Sequence, residues 1–256
     1  MKELQRDTDI NELGATLLEI GALLMSAGAN TGRIRTTIHR ISGAFGYQSE
    51  LLIQHRALVL SISDDKTESI FNRLKRTSPH GVNFRLVSGI SRMSWQVVEE
   101  GWSLEQINGE LQRLRALPHY PRLLVLALVG LAGASFCRLA GGSFVDMPVV
   151  FLASATGLFV RQEAAKKEFN PYLCIYFAAL TASLIAGLPV KFGGSTHEQA
   201  FATSVLFLIP GVPLINSFSD LIDGNLQNGV IRGFQGFIIS FTIALGLMTT
   251  VSIYHF

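Results

Sequence analysis

Residues 207–225 read FLIPGVPLINSFSDLIDGN, an apolar run interrupted by Pro210, Gly211 and Pro213 and followed by Asn216, Ser217, Asp220 and Asp223. Proline removes an amide donor and glycine permits a sharp turn. In hydrocarbon an unpaired backbone group is costly, so irregular backbone is expected only where protein or water surrounds it. Carbonyls freed near 206–210 can therefore face a small-molecule substrate or an ion, as broken helices do in secondary transporters. Asn216 and Ser217 add neutral hydrogen-bonding groups one turn before Asp220, a carboxylate able to carry a proton. Arg161, followed by Gln162, ends an earlier apolar run and can attract an anion. Each residue also has a plainer use. A proline kink can serve packing alone, Asp220 and Asp223 can be interfacial charges before a Gly224–Asn225 turn, and Arg161 can be a positive anchor.

Other chemistry is sparse. His39, His55 and His80 are scattered, and no HExxH, nucleophile elbow or P-loop occurs; the segment Gly28–Gly32, GANTG, lacks the lysine a phosphate loop needs. Cys137 and Cys174 both fall in apolar runs, with no CxxC or His/Cys cluster. We expect no catalytic residues, no metal and no cofactor, hence no enzyme. A net charge of +2 without a basic stripe gives no reason to expect nucleic acid. The first 22 residues carry seven charges, unlike a signal peptide.

Charge divides the chain. Residues 1–120 hold 14 Lys+Arg and 13 Asp+Glu, and residues 121–256 hold 7 and 6. The first part reads as a cytoplasmic α+β domain, residues 1–118. Leu13, Leu17, Ile20 and Leu24 recur at helical spacing before Gly28; Ile34, Ile38, Ile41 and Phe45 repeat the pattern after Asn30 or Thr31 and before Gly46. Strands are expected at LLIQ (51–54), ALVLSIS (57–63) and VNFRLVS (82–88), and Ser103 with Gln106 forms a capping box for a helix running towards Pro118.

Residues 119–256 read as an α-helical polytopic membrane domain. Uncharged runs cover 123–137, 147–160, 169–190, 199–219 and 233–256, and a spanning helix needs about 20 residues. This suggests about five transmembrane helices, near 121–140, 145–161, 170–190, 199–218 and 231–254. Arg113, Arg115, Arg122, Arg161, Lys166, Lys167 and Arg232 then flank one side, against Arg138 and Lys191 on the other, with His197 in the loop after Lys191. That bias puts the N-terminus in the cytoplasm and the C-terminus outside. Gly130, Gly133 and Ala134, and Gly229 with Gly233, make small helix faces suited to a homo-oligomer or a partner.

Transporters commonly pair two structural repeats across the bilayer. Five spans do not divide equally, and the sequence stops at Phe256 directly after the fifth. A second polypeptide or a second copy is therefore expected to supply the rest. LLMSAGANTGRIRTTIHRISGAFG, HYPRLLVLALVGLAGASFCRL, ASATGLFVRQ and SVLFLIPGVPLINSFSDLIDG together resemble the threonine/serine exporter family, and more closely its split form. The resemblance implies a cytoplasmic domain with ten spans, in one chain or divided between two, so the partner is a separate, smaller transmembrane subunit. It further implies export driven by the proton motive force across a bacterial inner membrane, of a dicarboxylate such as succinate or of threonine and serine. A membrane-anchored regulator or scaffold is the competing reading.

Overall fold

The computed structural model describes residues 9–63, 70–77, 81–118, 120–193 and 198–255, with side chains beyond Pro189 in that fourth stretch left aside; His80, His197, Phe256 and the Lys191 side chain fall outside. Two compact units form. One comprises residues 1–118 with 212–234, and the other residues 119–211 with 235–256.

In the first unit, α1 (Ile10–Ser26) and α2 (Thr31–Ala44) arise from the two leucine/isoleucine stripes, capped by Asp9 and Asn30. Gly28 ends α1 at φ +87°, in the left-handed region that glycine enters without strain. The strands β1 (Gln48–Gln54), β2 (Ala57–Ser63) and β3 (Ile70–Arg76) form an antiparallel sheet in that order, with Leu52 opposite Val59 and Ser61 opposite Asn72. Alternate residues Leu51, Ile53, Leu58, Leu60 and Ile62 turn into a core shared with both helices. Phe71 is the one buried residue of β3. Its ring lies so close to α1 that a Cβ on Gly14 would stand 2.5 Å from it.

The third strand is not where the alternation of Val82, Phe84 and Leu86 puts it. Residues Phe84–Glu100 form a helix, α3, capped by Asn83, whose side chain accepts from the Leu86 amide at 3.1 Å. Val82 and Phe84 are exposed, and Leu86 opens a longer stripe with Val87, Ile90, Met93 and Val97, all buried. That stripe has helical spacing and outweighs three alternating residues. β3 escaped notice because six of its seven residues are not buried. α4 (Leu104–Ala116) opens with the expected capping box: the Gln106 side chain accepts from the Ser103 amide at 2.8 Å, and the Gln106 amide donates back to Ser103.

The second unit contains α5 (Arg122–Leu139), α6 (Asp146–Lys166), α7 (Pro171–Gly193) and α8 (Glu198–Thr203). Close packing here depends on small residues: Gly130 lies against Phe151, Gly133 against Ser154, and Gly157 against Ala178 and Ala182. The small face of α5 thus meets α6 of the same chain. α9 (Gly211–Ile222) and α10 (Leu226–Tyr254) complete the fold and run across the division between units. By length and apolarity α5, α7 and α10 can cross a membrane, and α8 through α9 makes a fourth candidate bent by 64°. α6, at 21 residues, is not among them. Multiple apolar helices of this length make the chain a multi-pass membrane protein.

Asn83 distinguishes a helix cap from a strand's polar face. We predict that Asn83→Ala destabilises the purified full-length chain by about 1 kcal/mol, the usual loss for an N-cap, measured by denaturant unfolding. An exposed strand position would leave stability unchanged.

Candidate functional site

The break in the fourth apolar segment is real and lies between a 3-10 turn at Leu206–Leu208 and the start of α9. Pro210 occupies it. Pro213 sits in the first turn of α9, where the amide it lacks would have no helical partner anyway, so it starts the helix rather than breaking it. Gly211 is the first residue of α9.

Beyond the break, α9 carries its polar groups to the turn between α1 and α2. The Asn216 Nδ2 donates to the Gly28 carbonyl at 2.8 Å. One turn on, Asp220 is fully buried and its Oδ1 accepts from the Thr31 backbone amide at 3.0 Å. Thr31 is the first residue of α2, so its amide is one of the donors a helix leaves unsatisfied, at the positive end of the helix dipole. Arg232, on α10, brings Nη1 to 2.9 Å from Asp220 Oδ2, with 11% of its side chain exposed. That contact is ionic but lacks hydrogen-bond alignment on either atom. A second Arg232 nitrogen, Nη2, donates to the Ala29 carbonyl at 3.2 Å.

Two further groups complete the cluster. Asn228 Nδ2 donates to the Ile53 carbonyl at 2.9 Å and reaches Thr31 Oγ1 at 3.4 Å. Arg35 donates to Asn225 Oδ1 at 3.0 Å. The turn between α9 and α10 has its own cause: Gly224 at φ +78° lets the Asn225 amide reach back to the Asp220 carbonyl at 2.7 Å, closing α9. Gly229 and Gly233 then admit α9 alongside α10; Ser217 donates to the Gly229 carbonyl at 2.7 Å, and a Cβ on Gly233 would stand 2.8 Å from Ser217 Oγ. The small face of α10, expected to serve an oligomer or partner, is filled from within the chain.

The structure therefore brings Asn216, Ser217 and Asp220 to one cluster, with Ser217 bracing the two helices and the other two engaging the α1–α2 turn. Asp223 is exposed. Arg161 belongs to the second unit, exposed on α6, where its neighbour Gln162 accepts from Arg122 at 2.6 Å. Among the described residues no group of His, Cys, Asp and Glu could hold a metal ion.

Residues 15–254 match the ThrE family, described as "Putative threonine/serine exporter". The chain belongs to this family. Among curated ThrE-like relatives, the "Probable succinate transporter subunit YjjP" of Escherichia coli is 26% identical over 240 residues, covering 93% of both chains. The "Threonine/serine exporter" of Corynebacterium glutamicum is 25% identical over 248 residues, 89% of this chain but 48% of that one. "Pheromone-regulated membrane protein 10" of Kluyveromyces lactis is 26% identical over 253 residues, 26% of its length. No solved structure matches the chain.

The Thr31 amide, Asn228 and the Gly28 and Ala29 carbonyls are members of this cluster that the sequence does not single out. Arg232 is named there only as a flanking charge. A signal existed: Asp220, Asp223 and Arg232 are the charges between Glu198 and the C-terminus, and opposite charges amid apolar sequence are expected to pair. Nothing in the sequence says that a backbone amide near residue 31 joins them.

His55, in the β1–β2 turn, responds to this cluster. Burial pushes its pKa below the ordinary value, and the positive charges of Arg56 and Arg232 push the same way. With the folded-state pKa below the unfolded one, this contribution to stability is present above the ordinary value and is lost as pH falls through it. We predict that acidification below about 6.5 destabilises the purified chain, and that His55→Gln reduces this slope in thermal unfolding. Removing one ion of the pair costs more. Asp220→Ala or Arg232→Ala should destabilise by about 3–5 kcal/mol, because each leaves a buried charge uncompensated. The double variant should lose less than the two single losses added together, measured by denaturant unfolding of each.

Proposed function

We propose that this chain is the larger subunit of a secondary exporter driven by the proton motive force. Its substrates are small organic acids, with a dicarboxylate such as succinate foremost. It works with a separate, smaller membrane subunit in a bacterial inner membrane, N-terminus in the cytoplasm and C-terminus outside. α6 counts as the fifth span: it is 21 residues long and packs against both α5 and α7, which are apolar enough to cross.

One observation carries the reading: a broken apolar helix delivers a fully buried carboxylate, Asp220, to a buried arginine. Ionisable groups in such surroundings are costly and usually mark a proton or substrate path. The similarity in length to an Escherichia coli relative named as a succinate transporter subunit supports the substrate and the partner. That this chain spans about half of the Corynebacterium exporter agrees with a division of one transporter between two chains. The same relative's name supports a second reading, in which threonine and serine are the cargo. On either reading Pro210, Gly211, Pro213, Asn216, Ser217 and Asp220 belong to the path, and Arg161 draws in the anion.

Efflux of preloaded labelled succinate and threonine tests this in cells lacking their own exporters. We expect succinate efflux only when the chain is expressed with its small membrane partner. Asn216→Ala should cut the rate on the order of tenfold, about 1.4 kcal/mol, at unchanged protein level. Threonine efflux instead would transfer the mechanism to amino acids. Efflux of neither, with both subunits in the membrane, would leave the regulator or scaffold reading.

A further inference from the structure

The Asp220 carboxylate is held by two donors of different kinds, the Thr31 amide at the start of α2 and the Arg232 guanidinium. Both suit any carboxylate. A guanidinium binds a carboxylate best through two parallel hydrogen bonds. Asp220 does not achieve this: its Oδ2 and the Arg232 Nη1 are both shut from solvent, 2.9 Å apart, and out of hydrogen-bond alignment. The guanidinium arm therefore meets the carboxylate as an ion pair and not through paired hydrogen bonds.

The receptor has supports besides Asp220. Asn216 fixes the Gly28 carbonyl, Arg232 itself reaches the Ala29 carbonyl, and Asn228 ties Thr31 to the Ile53 carbonyl. These contacts support the 28–31 turn alongside the aspartate. Nearby charged or titratable groups are Arg35 on α2, bonded to Asn225, His55 in the β1–β2 turn, which feels the charge of Arg232, and Asp223 at the end of α9. Of these, Asp223 is exposed and comes to 3.1 Å from a Cβ placed on Gly32.

We infer that the Thr31 amide and the Arg232 guanidinium form a carboxylate-binding site which Asp220 fills with its own side chain, and that a carboxylate of the exported acid takes its place. The identity of the ligand rests on the function proposed above; the site itself does not. The exchange conserves charge. The ion pair with Arg232 opens, and the incoming carboxylate restores a negative charge beside the guanidinium.

Equilibrium binding of radiolabelled succinate to the purified full-length chain in lipid nanodiscs tests the site directly. Asp220→Asn removes the competing charge and should tighten succinate binding about tenfold or more, an energy of about 1.4 kcal/mol. Adding Arg232→Gln to that variant should abolish the gain. Adding Thr31→Pro should lower it severalfold. Proline is tolerated at a helix's first position, and Asn30 before it is already extended at ψ 162°, so the substitution removes the amide while keeping α2. Asp220→Ser provides a second vacated site should the asparagine variant fail to fold, judged by circular dichroism and monodispersity. Folded Asp220→Asn and Asp220→Ser chains that bind succinate no better than the parent, or not at all, would overturn the inference and leave the pair structural. Sulfate displacing succinate at equal concentration would overturn its restriction to carboxylates. A binding pattern as expected, with no efflux from the two-subunit complex, would instead refute the proposed transport function and leave the site standing.

Discussion

Burying an aspartate and an arginine together constrains everything around them. Each ion loses several kcal/mol of hydration in a low-dielectric interior, and mutual attraction repays this only with good supporting hydrogen bonds. Asp220 and Arg232 are twelve residues apart on two different helices, so α9 and α10 must fold back on each other to join them. Gly224 supplies the turn, and Gly229 and Gly233 supply the clearance. The remaining polar capacity is met by the α1–α2 turn, whose amide and carbonyls are free because it lies between two helix ends. The pair, the helical hairpin and the GANT turn are thus one arrangement, since none of the three is satisfied without the others.

The broken helix serves that arrangement from the other direction. Pro210 ends the regular structure that precedes it, and Pro213 preconditions the first turn of α9. The 64° bend between α8 and α9 then gives α9 a direction unlike that of the preceding segment. Breaking a membrane-grade helix is costly where its backbone is left unpaired, and here the segment beyond the break gains hydrogen bonds and an ion pair.

Much of this was legible in the residues. The stripes Leu13–Leu24 and Ile34–Phe45, the Ser103–Gln106 capping box and the break at Pro210 all follow from local spacing and backbone chemistry, which act over a few residues. The third strand did not, because Phe71 alone of β3 is buried, while of the alternating residues at 82–86 only Leu86 joins the buried stripe of α3. Asn216, Ser217 and Asp220 could be singled out because polar groups after an apolar run stand out locally. Their partners could not. Thr31 contributes a backbone amide, which leaves no trace in side-chain identity, and its contact with Asp220 spans 189 positions of sequence. The structure offers three or four candidate spans against the five expected, because α6 is not among them.

Hydrogen exchange at the Thr31 amide addresses the central interaction most directly. Peptides covering Gly28–Arg33 would be followed by mass spectrometry in the full-length chain, with Asp220 present and with Asp220→Ala. If Asp220 caps α2, that amide is protected in the parent and exchanges on the order of tenfold faster in the variant, the factor for about 1.4 kcal/mol, while amides deeper in α2 change less. Equal exchange in both chains would contradict the account, because the buried carboxylate would then have no hold on the turn.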